Sequence, residues 1–282
     1  MLQFGLGTLL AILISVIAWR LRLLSSSGMI AAVVMGALIF GLGGLAWASL
    51  LIGFFVLSSL LSRLARNRKA NLDEKYAKGS QRDAWQVIAN GGVATIILVL
   101  THLQCKVTGF ADTFFATGGW AFLAFAGSLA AANADTWATE LGVFSRKAPR
   151  LITTGRRVPL GTSGAISPVG SLASLAGSLF IAGLAALPWA GVPHPLEWQL
   201  TVLLVGIAGF IGSYVDSTLG ATLQAIYYCP SCDKETEKYP LHTCGTTTRQ
   251  IRGLRWMNND AVNFACTLGG AIIVWVVYLL IR

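Results

Sequence analysis

The chain contains a succession of apolar stretches, each about twenty residues long. A helix of that length matches the hydrocarbon thickness of a bilayer, so each stretch is a candidate membrane span. The runs are continuous, which excludes a transmembrane β-barrel, and 55% hydrophobic with 12% charged residues exclude an ordinary soluble domain. We expect an all-α, polytopic transmembrane helical bundle that forms a single integral membrane domain over residues 1–282. Its eight spans are predicted at about 3–19, 28–46, 47–62, 84–103, 113–133, 164–187, 198–222 and 259–281.

The basic residues lie almost entirely on one side of this arrangement. Of the 21 Lys and Arg residues, only Lys106 and Arg282 fall on the opposite side. Because cytoplasmic loops carry an excess of Lys and Arg, loops 63–83, 140–163 and 223–257 are predicted to be cytoplasmic. Both termini are then outside, and a bacterial plasma membrane is the simplest location. The same bias explains the net charge of +9 without a nucleic-acid partner.

The end of the fifth span is unusually polar. It follows a run without charged residues, Trp120–Ala132. At about 100° per residue, its polar side chains occupy an arc of roughly 160° on a helix. Carboxylates are costly at this depth unless they line a wet cavity, pair or hold a cation. The alternative is an interfacial helix end whose acids are only solvated. The polar side chains of this stretch are Asn133, Asp135, Thr136, Thr139 and Glu140.

Other polar groups lie at the same predicted ends of spans. Span four begins with Asp83, Gln86 and Asn90, and span eight begins with Asn258, Asn259, Asp260 and Asn263. Span seven carries Asp216 in a groove of glycines that includes Gly220. Backbone N–H groups at a helix N-terminus, beside arginines and glycines, favour phosphate binding. Such a loop precedes span six and contains Arg156, Arg157, Gly161, Thr162, Ser163, Gly164 and Ser167.

The one-sided clustering of these groups predicts a cavity that faces the cytoplasm. Mg²⁺ prefers a few carboxylates together with phosphate oxygens, so we expect a Mg²⁺ site at Asp135, Glu140 and Asp216. Asp135 and Glu140 lie about 140° apart on a straight helix, so one ion reaches both only if the helix ends within the motif. Otherwise the site holds two ions, or one acid binds the ion and the other acid lies behind it without binding the ion directly. An ion-coupled transporter is the rival class, although its acids would more often lie near the midplane.

A second kind of metal site is predicted in the loop 223–257. Cys229, Cys232, His242 and Cys244 supply four soft ligands in the spacing Cys-x-x-Cys followed by His-x-Cys. Four such ligands suit a structural, tetrahedral Zn²⁺, although the second pair is tighter than the usual knuckle. Disulfides are not expected on the cytoplasmic side. We therefore predict a zinc clip over residues 229–244.

Three segments carry a resemblance to a known family. They are Asn133-Ala-Asp-Thr-Trp-Ala-Thr-Glu-Leu-Gly, the loop 156–167 and Asp216-Ser-Thr-Leu-Gly-Ala-Thr-Leu-Gln. The chain resembles the integral membrane family of unknown function 92, which includes transmembrane protein 19 and a chloroplast phytyl-phosphate kinase. The family's motif positions correspond here to Asp135, Thr136, Glu140, Gly161, Thr162, Gly164, Asp216, Gly220, Asn259 and Asn263.

The resemblance implies a membrane kinase that converts a phytyl, geranylgeranyl or polyprenyl phosphate to the diphosphate. A nucleoside triphosphate, with CTP as a candidate, would be the donor and Mg²⁺ the cofactor. Arg156 and Arg157 join the three acids as expected catalytic residues. A lipid-phosphate cytidylyltransferase and an isoprenoid alcohol kinase stay open, although the alcohol kinase needs a general base. The expected substrate- and nucleotide-binding residues are Asn90, Asn133, Thr136, Gly161, Thr162, Ser163, Gly164, Ser167, Gly220, Asn259, Asp260 and Asn263.

Overall fold

The computed structural model describes residues 2–69, 81–108, 111–192 and 194–281. Eight α-helices account for most of this part of the chain, as the apolar stretches predict. The central part of the 63–83 loop and Arg282 lie outside the described residues. The helices are α1 (Leu2–Arg20), α2 (Ser26–Leu38), α3 (Gly44–Lys69), α4 (Ala84–Thr108), α5 (Ala111–Gly142), α6 (Pro168–Ala185), α7 (Trp198–Thr222) and α8 (Asn259–Ile281).

Six helical segments among the described residues are long and apolar enough to cross a membrane: α1, the segment Ser26–Ala65 that holds α2 and α3, α4, α6, α7 and α8. Several element boundaries depart from the predicted spans. Helix α2 ends at Leu38 instead of near residue 46, and α3 continues to Lys69 instead of ending near residue 62. Helix α5 continues through the polar stretch to Gly142, one of the two alternatives left open by the sequence, and α6 begins at Pro168 instead of near residue 164. Ser167 caps α6 by accepting a 3.1 Å hydrogen bond from the Gly170 amide, which explains the later start.

Helices α2 and α3 form a hairpin. One turn of π-helix, Ile39–Gly43, leads to Gly44, whose φ of 75° only glycine adopts readily. The Gln3 amide on α1 donates to the Phe40 carbonyl at 3.1 Å, so the hairpin turn lies beside the start of α1. At the other end, the Arg63 guanidinium donates to the Leu21 carbonyl at 2.9 Å. The first three helices therefore alternate in direction.

Helix α5 is the central helix of the bundle. It contacts α3, α4, α6, α7 and α8, and every residue from Trp120 to Ala134 is buried. Five helices can pack around α5 in part because glycines let backbones approach it closely. At Gly212 of α7, for example, an added Cβ would overlap Ala131 of α5. Protein surrounds the middle of α5. At its polar end Asn133 and Glu140 are buried, Asp135 and Thr136 are half-buried, and Thr139 is exposed.

Two small antiparallel sheets, which the sequence analysis did not predict, lie in the connecting segments. β1 (Arg150–Leu151) pairs with β2 (Ala165–Ile166), and β3 (Ile226–Cys229) pairs with both β4 (Lys234–Thr236) and β5 (Arg249–Arg252). The larger sheet is attached to the end of α7, because the Leu254 amide donates to the Leu223 carbonyl at 2.9 Å. Both sheets lie at the same end of the bundle. That this end is cytoplasmic stays a prediction.

Candidate active site

Two acids come together where α5, α7 and α8 pack at this end of the bundle. Asp135 on α5 lies close enough to Asp216 on α7 for their charges to interact. The thiol of Cys266 on α8 lies within electrostatic range of both carboxylates. The Oδ2 atom of Asp216 is buried and has no hydrogen-bond partner among the described residues. Leaving a carboxylate oxygen in this state is costly, so it is a candidate metal ligand.

Glu140 does not join this pair, because α5 continues without a break. Its Oε1 atom accepts a 2.8 Å hydrogen bond from the Ser62 hydroxyl on α3, and its charge interacts with Arg82 at the start of α4. Within the described ranges, no three carboxylates bring ligand atoms close enough to share an ion. One ion shared by all three acids therefore does not fit: this structure pairs Asp135 with Asp216 and places Glu140 on another side of α5. The alternatives of two ions, or of one ion with a second acid behind its ligands, stay predictions.

The residues Gly161–Gly164, here called the glycine loop, pack directly on α7, one turn beyond Asp216. Gly164 has a φ of 78°, and a Cβ there would overlap the backbone of Ala221. A Cβ at Gly220 would lie 2.9 Å from the Gly164 amide nitrogen. Glycine at both positions permits backbone contact between loop and helix. The loop residues Gly161–Gly164 and the acid pair thus lie at one end of α7.

Gln224 connects this loop to the larger sheet. Its carbonyl oxygen accepts a hydrogen bond from the Ser163 hydroxyl, and its amide donates to a Glu237 carboxylate oxygen at 2.9 Å. Glu237 also interacts electrostatically with Asp216. A small cleft, with an empty volume of about 280 Å³, separates the loop from the sheet. Its lining residues are Gly161, Thr162, Ser163, Ile226, Glu235, Thr236 and Glu237.

Asn133 has a structural placement. It is completely buried, accepts a 3.1 Å hydrogen bond from Ser58 and donates one of 2.8 Å to the Gly177 carbonyl. These bonds join α5 to α3 and α6, which argues against the expected contact between Asn133 and a substrate. The Thr136 hydroxyl bonds to the Ala132 carbonyl of its own helix at 2.8 Å.

The polar residues at the start of α4 satisfy one another. The Asp83 carboxylate accepts a 2.9 Å hydrogen bond from the backbone N–H of Gln86. In return, the side-chain carbonyl of Gln86 accepts a 3.2 Å hydrogen bond from the backbone N–H of Asp83. This is a capping box with Asp and Gln in the two positions. The Asn90 side chain donates to the Gln86 carbonyl at 2.9 Å. Sequence reasoning placed these residues on one helix face but missed their mutual capping.

Arg82, Gln86 and Asn90 also line one end of a large apolar cleft between α1, α2, α3 and α4. The cleft contains about 870 Å³ of space free of protein atoms, part of which is open to the surroundings. It extends from Arg82 to Phe40 at the α2–α3 turn. The Arg82 guanidinium lies 5.5 Å from the centre of the Phe54 ring. The cleft is therefore apolar along its length and cationic at one end.

The remaining expected residues lie in the loop before α6 and at the start of α8. Arg156 and Arg157 are exposed on the turn that leads into the glycine loop. Asn258 caps α8 by accepting a 3.0 Å hydrogen bond from the Ala261 amide. Asn259, Asn263 and Cys266 are spaced by four and three residues, so they share the face of α8 that passes the acids. Thr162 bonds through its hydroxyl to the Pro159 carbonyl at 2.7 Å.

The expected zinc ligands meet on the larger sheet. The ligand atoms of Cys229, Cys232, His242 and Cys244 all lie within 4.8 Å of one another. Hydrogen bonding to Thr246 and then to His242 lowers the pKa of the Cys244 thiol to about 5. Hydrogen bonding to Cys244, together with burial, raises the pKa of the Cys232 thiol to about 11. The group therefore contains one thiol that ionises readily beside one that does not.

The helices and their polar end define a multi-pass integral membrane protein with an acidic, glycine-rich site at one end of the bundle. The chain belongs to the family described as Integral membrane protein DUF92, whose model matches residues 9–271. This confirms the family resemblance inferred from the motifs. No solved structure matches the chain.

Three relatives show how widely the family is distributed. The chain is 32% identical to Protein PGR of Arabidopsis thaliana, over 94% of this chain and 93% of that protein. It is 28% identical to the uncharacterized membrane protein MJ0933 of Methanocaldococcus jannaschii, over 99% and 95% respectively. It is also 28% identical to Protein VTE6, chloroplastic, of Arabidopsis thaliana, over 89% of this chain and 64% of that protein.

Proposed function

We propose that this protein is a membrane-embedded kinase that converts an isoprenyl monophosphate to the diphosphate. The donor is a nucleoside triphosphate, with CTP as the first to be tested, and the reaction takes place at the cytoplasmic face of a bacterial plasma membrane. The acceptor class is phytyl, geranylgeranyl or a longer polyprenyl phosphate. The proposal builds on the resemblance to a family that includes a chloroplast phytyl-phosphate kinase.

The observation that carries the proposal is the meeting of an acid pair and a glycine loop at the end of α7. Asp135 and Asp216 would repel a nucleotide's phosphates unless a cation stood between them. Carboxylates with phosphate oxygens are the ligand set that Mg²⁺ prefers, and the buried Oδ2 atom of Asp216 fits a ligand role. Mg²⁺ bound there would neutralise charge on the transferred phosphoryl group.

The residues of the chain would position the donor. The glycines of the loop allow its backbone to approach phosphate closely. Gly164 contacts the Ala221 backbone of α7, and this contact places the loop near the end of the helix that carries Asp216. The exposed Arg156 and Arg157 precede the loop. Arginine offers two parallel donors to phosphate oxygens, so we assign these side chains to the phosphates.

The apolar cleft between α1 and α4 is the proposed place of the acceptor's isoprenoid tail. Its lining is almost entirely apolar, and its polar end holds Arg82, Gln86 and Asn90. Arg82 interacts electrostatically with Glu140 of the central helix, so the cationic end of the cleft adjoins α5. A lipid phosphate would leave its tail in the cleft, and its head group would have to extend from Arg82 past the Glu140 side of α5 to reach Asp135 and Asp216.

The chemistry of a phosphate acceptor fits a site without a general base. A phosphomonoester has a second pKa of about 6, so the acceptor is largely dianionic at neutral pH and already nucleophilic. Catalysis then consists mainly of positioning and of neutralising charge. Asp135 and Asp216 therefore serve as ligands in this account, and neither has to remove a proton.

The test is to incubate purified, lipid-reconstituted protein with geranylgeranyl or phytyl phosphate and each nucleoside triphosphate in turn. Mass spectrometry of the lipid products should show the isoprenyl diphosphate together with a nucleoside diphosphate. A nucleotidyl-lipid with pyrophosphate would instead identify a cytidylyltransferase. Phosphorylation of the free alcohol, without use of the monophosphate, would identify an alcohol kinase, and either result would overturn the proposal.

A further inference from the structure

The cysteine and histidine cluster on the larger sheet has the dimensions of a metal site. Cys229 Sγ lies 3.5 Å from Cys244 Sγ, and His242 Nδ1 lies 3.5 Å from Cys232 Sγ and 3.3 Å from Cys244 Sγ. With Zn–S of about 2.3 Å and Zn–N of about 2.0–2.1 Å, the edges of a tetrahedral site are about 3.5–3.8 Å long. A disulfide would need sulfur atoms about 2.05 Å apart, so the cluster fits a metal instead.

The backbone around the cluster is folded as two tight turns. Cys229 ends β3, and Cys232 lies in the turn to β4, where Asp233 adopts a φ of 51°. In the second turn, the Gly245 amide donates to the His242 carbonyl at 2.9 Å. Each turn therefore contributes two ligands, and His242 presents its Nδ1 atom to the thiols. Binding through Nδ1 requires the imidazole proton to lie on Nε2.

The size of the sheet provides an independent reason for a metal. The segment between α7 and α8 contains fewer than about 40 residues, a length at which an independent fold usually needs a metal, a disulfide or a partner. Its cysteines are free. Its buried side chains are few and include two of the candidate ligands, Cys229 and His242. A bound ion would supply the cross-link that the small core lacks.

The sheet also holds Glu237, which follows β4 directly. Glu237 accepts the 2.9 Å hydrogen bond from Gln224, and Gln224 in turn binds Ser163 of the glycine loop. A metal ion that held the two turns of the sheet in place would therefore also hold Glu237 in position at the end of α7. The metal cluster is thus linked to the glycine loop through one glutamate and one glutamine.

We propose that Cys229, Cys232, His242 and Cys244 bind one Zn²⁺, and that this ion holds Glu237 against Gln224 at the end of α7. The site is structural, because four protein ligands close a tetrahedral coordination sphere and leave no position for substrate. The inference rests on the cluster and its hydrogen-bonded neighbours and does not depend on the proposed kinase activity.

Metal analysis of the purified full-length protein tests the first part. We expect about one Zn²⁺ per chain in the wild type, and near-complete loss in Cys229→Ser and Cys232→Ser. Ser231→Ala, which changes an exposed residue of the same turn, should keep its zinc. Wild-type protein purified without zinc, with iron in its place, or with zinc unchanged in Cys232→Ser would overturn the assignment.

Cobalt and hydrogen exchange provide readouts that do not require a variant to fold. Refilling chelator-treated wild type with Co²⁺ should give thiolate-to-cobalt absorption and the intense visible bands of a tetrahedral site, and an octahedral spectrum would contradict it. Removing the zinc should speed amide exchange in 226–237 and in 161–164. Unchanged exchange in both segments would show that the ion does not position Glu237. These measurements are unaffected by whether the kinase assay succeeds.

Discussion

The Gln224 side chain donates a 2.9 Å hydrogen bond to Glu237 and thereby ties the end of α7 to the sheet beyond it. Gln224 is almost fully buried, with 2% of its surface exposed, so this contact forms part of the protein interior. The side-chain carbonyl oxygen of Gln224 accepts a hydrogen bond from the Ser163 hydroxyl in the glycine loop. One glutamine therefore joins the loop, α7 and the sheet around the acid pair.

We expect Gly164→Ala to destabilise the protein and to displace the glycine loop. Gly164 has a φ of 78° and a Cβ there would meet the Ala221 backbone, so the substitution combines backbone strain of about 1–3 kcal/mol with a steric overlap. Gly155→Ala is the matched control, since Gly155 has a φ of 66° but no atom near its Cβ position. Thermal unfolding in detergent should show a larger decrease in unfolding temperature for Gly164→Ala than for Gly155→Ala. Equal decreases would mean that the contact between Gly164 and α7 does not contribute to stability.

Asn133→Ala should cost about 1–3 kcal/mol of stability, because it removes two buried hydrogen bonds and leaves the Ser58 hydroxyl without its Asn133 partner. Ser58→Ala removes only the first of these bonds and should cost less. Chemical or thermal unfolding of the single and double variants measures both effects. If Asn133→Ala keeps full stability but weakens nucleotide binding, Asn133 is a binding residue after all.

The presence of the helices follows from the sequence because a continuous apolar run reports a local property of the chain. The boundary between spans two and three was predicted near residue 46, and the structure places it at the turn that ends at Gly44. The separation of Glu140 from Asp216 depends instead on α5 continuing to Gly142, where the sequence left both a break and a continuous helix open.

The contact between Gln224 and Glu237 was also beyond sequence reasoning. The apolar pattern stops at the end of α7, and the short strands that bring Glu237 back have no apolar periodicity of their own. The Cys-x-x-Cys spacing was the signal that this segment is ordered. It identified the cluster but gave no indication that Glu237, on the same sheet, interacts with Asp216.

The predicted topology can be checked with a membrane-impermeant maleimide applied to intact cells. Glu197 lies at the start of α7 and Arg150 in β1, at opposite ends of the bundle, and both are exposed. Glu197→Cys should react in intact cells, whereas Arg150→Cys should react only after permeabilisation. The reverse pattern would invert the assignment of the cytoplasmic side.

Filling the apolar cleft should select against long acceptors. Ala32 on α2 lines the cleft, so Ala32→Phe should raise KM for geranylgeranyl phosphate far more than for the shorter geranyl phosphate. Val34→Phe is the control, because Val34 lies on the same helix, outside the cleft lining, with 56% of its surface exposed. Kinetics for both acceptors test this. An equal effect of Ala32→Phe on both chain lengths would place the tail elsewhere.

The central claim is that Asp135 and Asp216 hold the Mg²⁺ that serves phosphoryl transfer. The most direct measurement is the rate of isoprenyl diphosphate formation at limiting Mg²⁺ in charge-removing variants. Asp135→Asn and Asp216→Asn should each lower this rate by about 10²–10³-fold, as expected for loss of a preorganised charge stabiliser. Glu197→Gln, at the other end of α7, should leave it unchanged. Folded Asp135→Asn and Asp216→Asn variants with near wild-type rates would contradict the account.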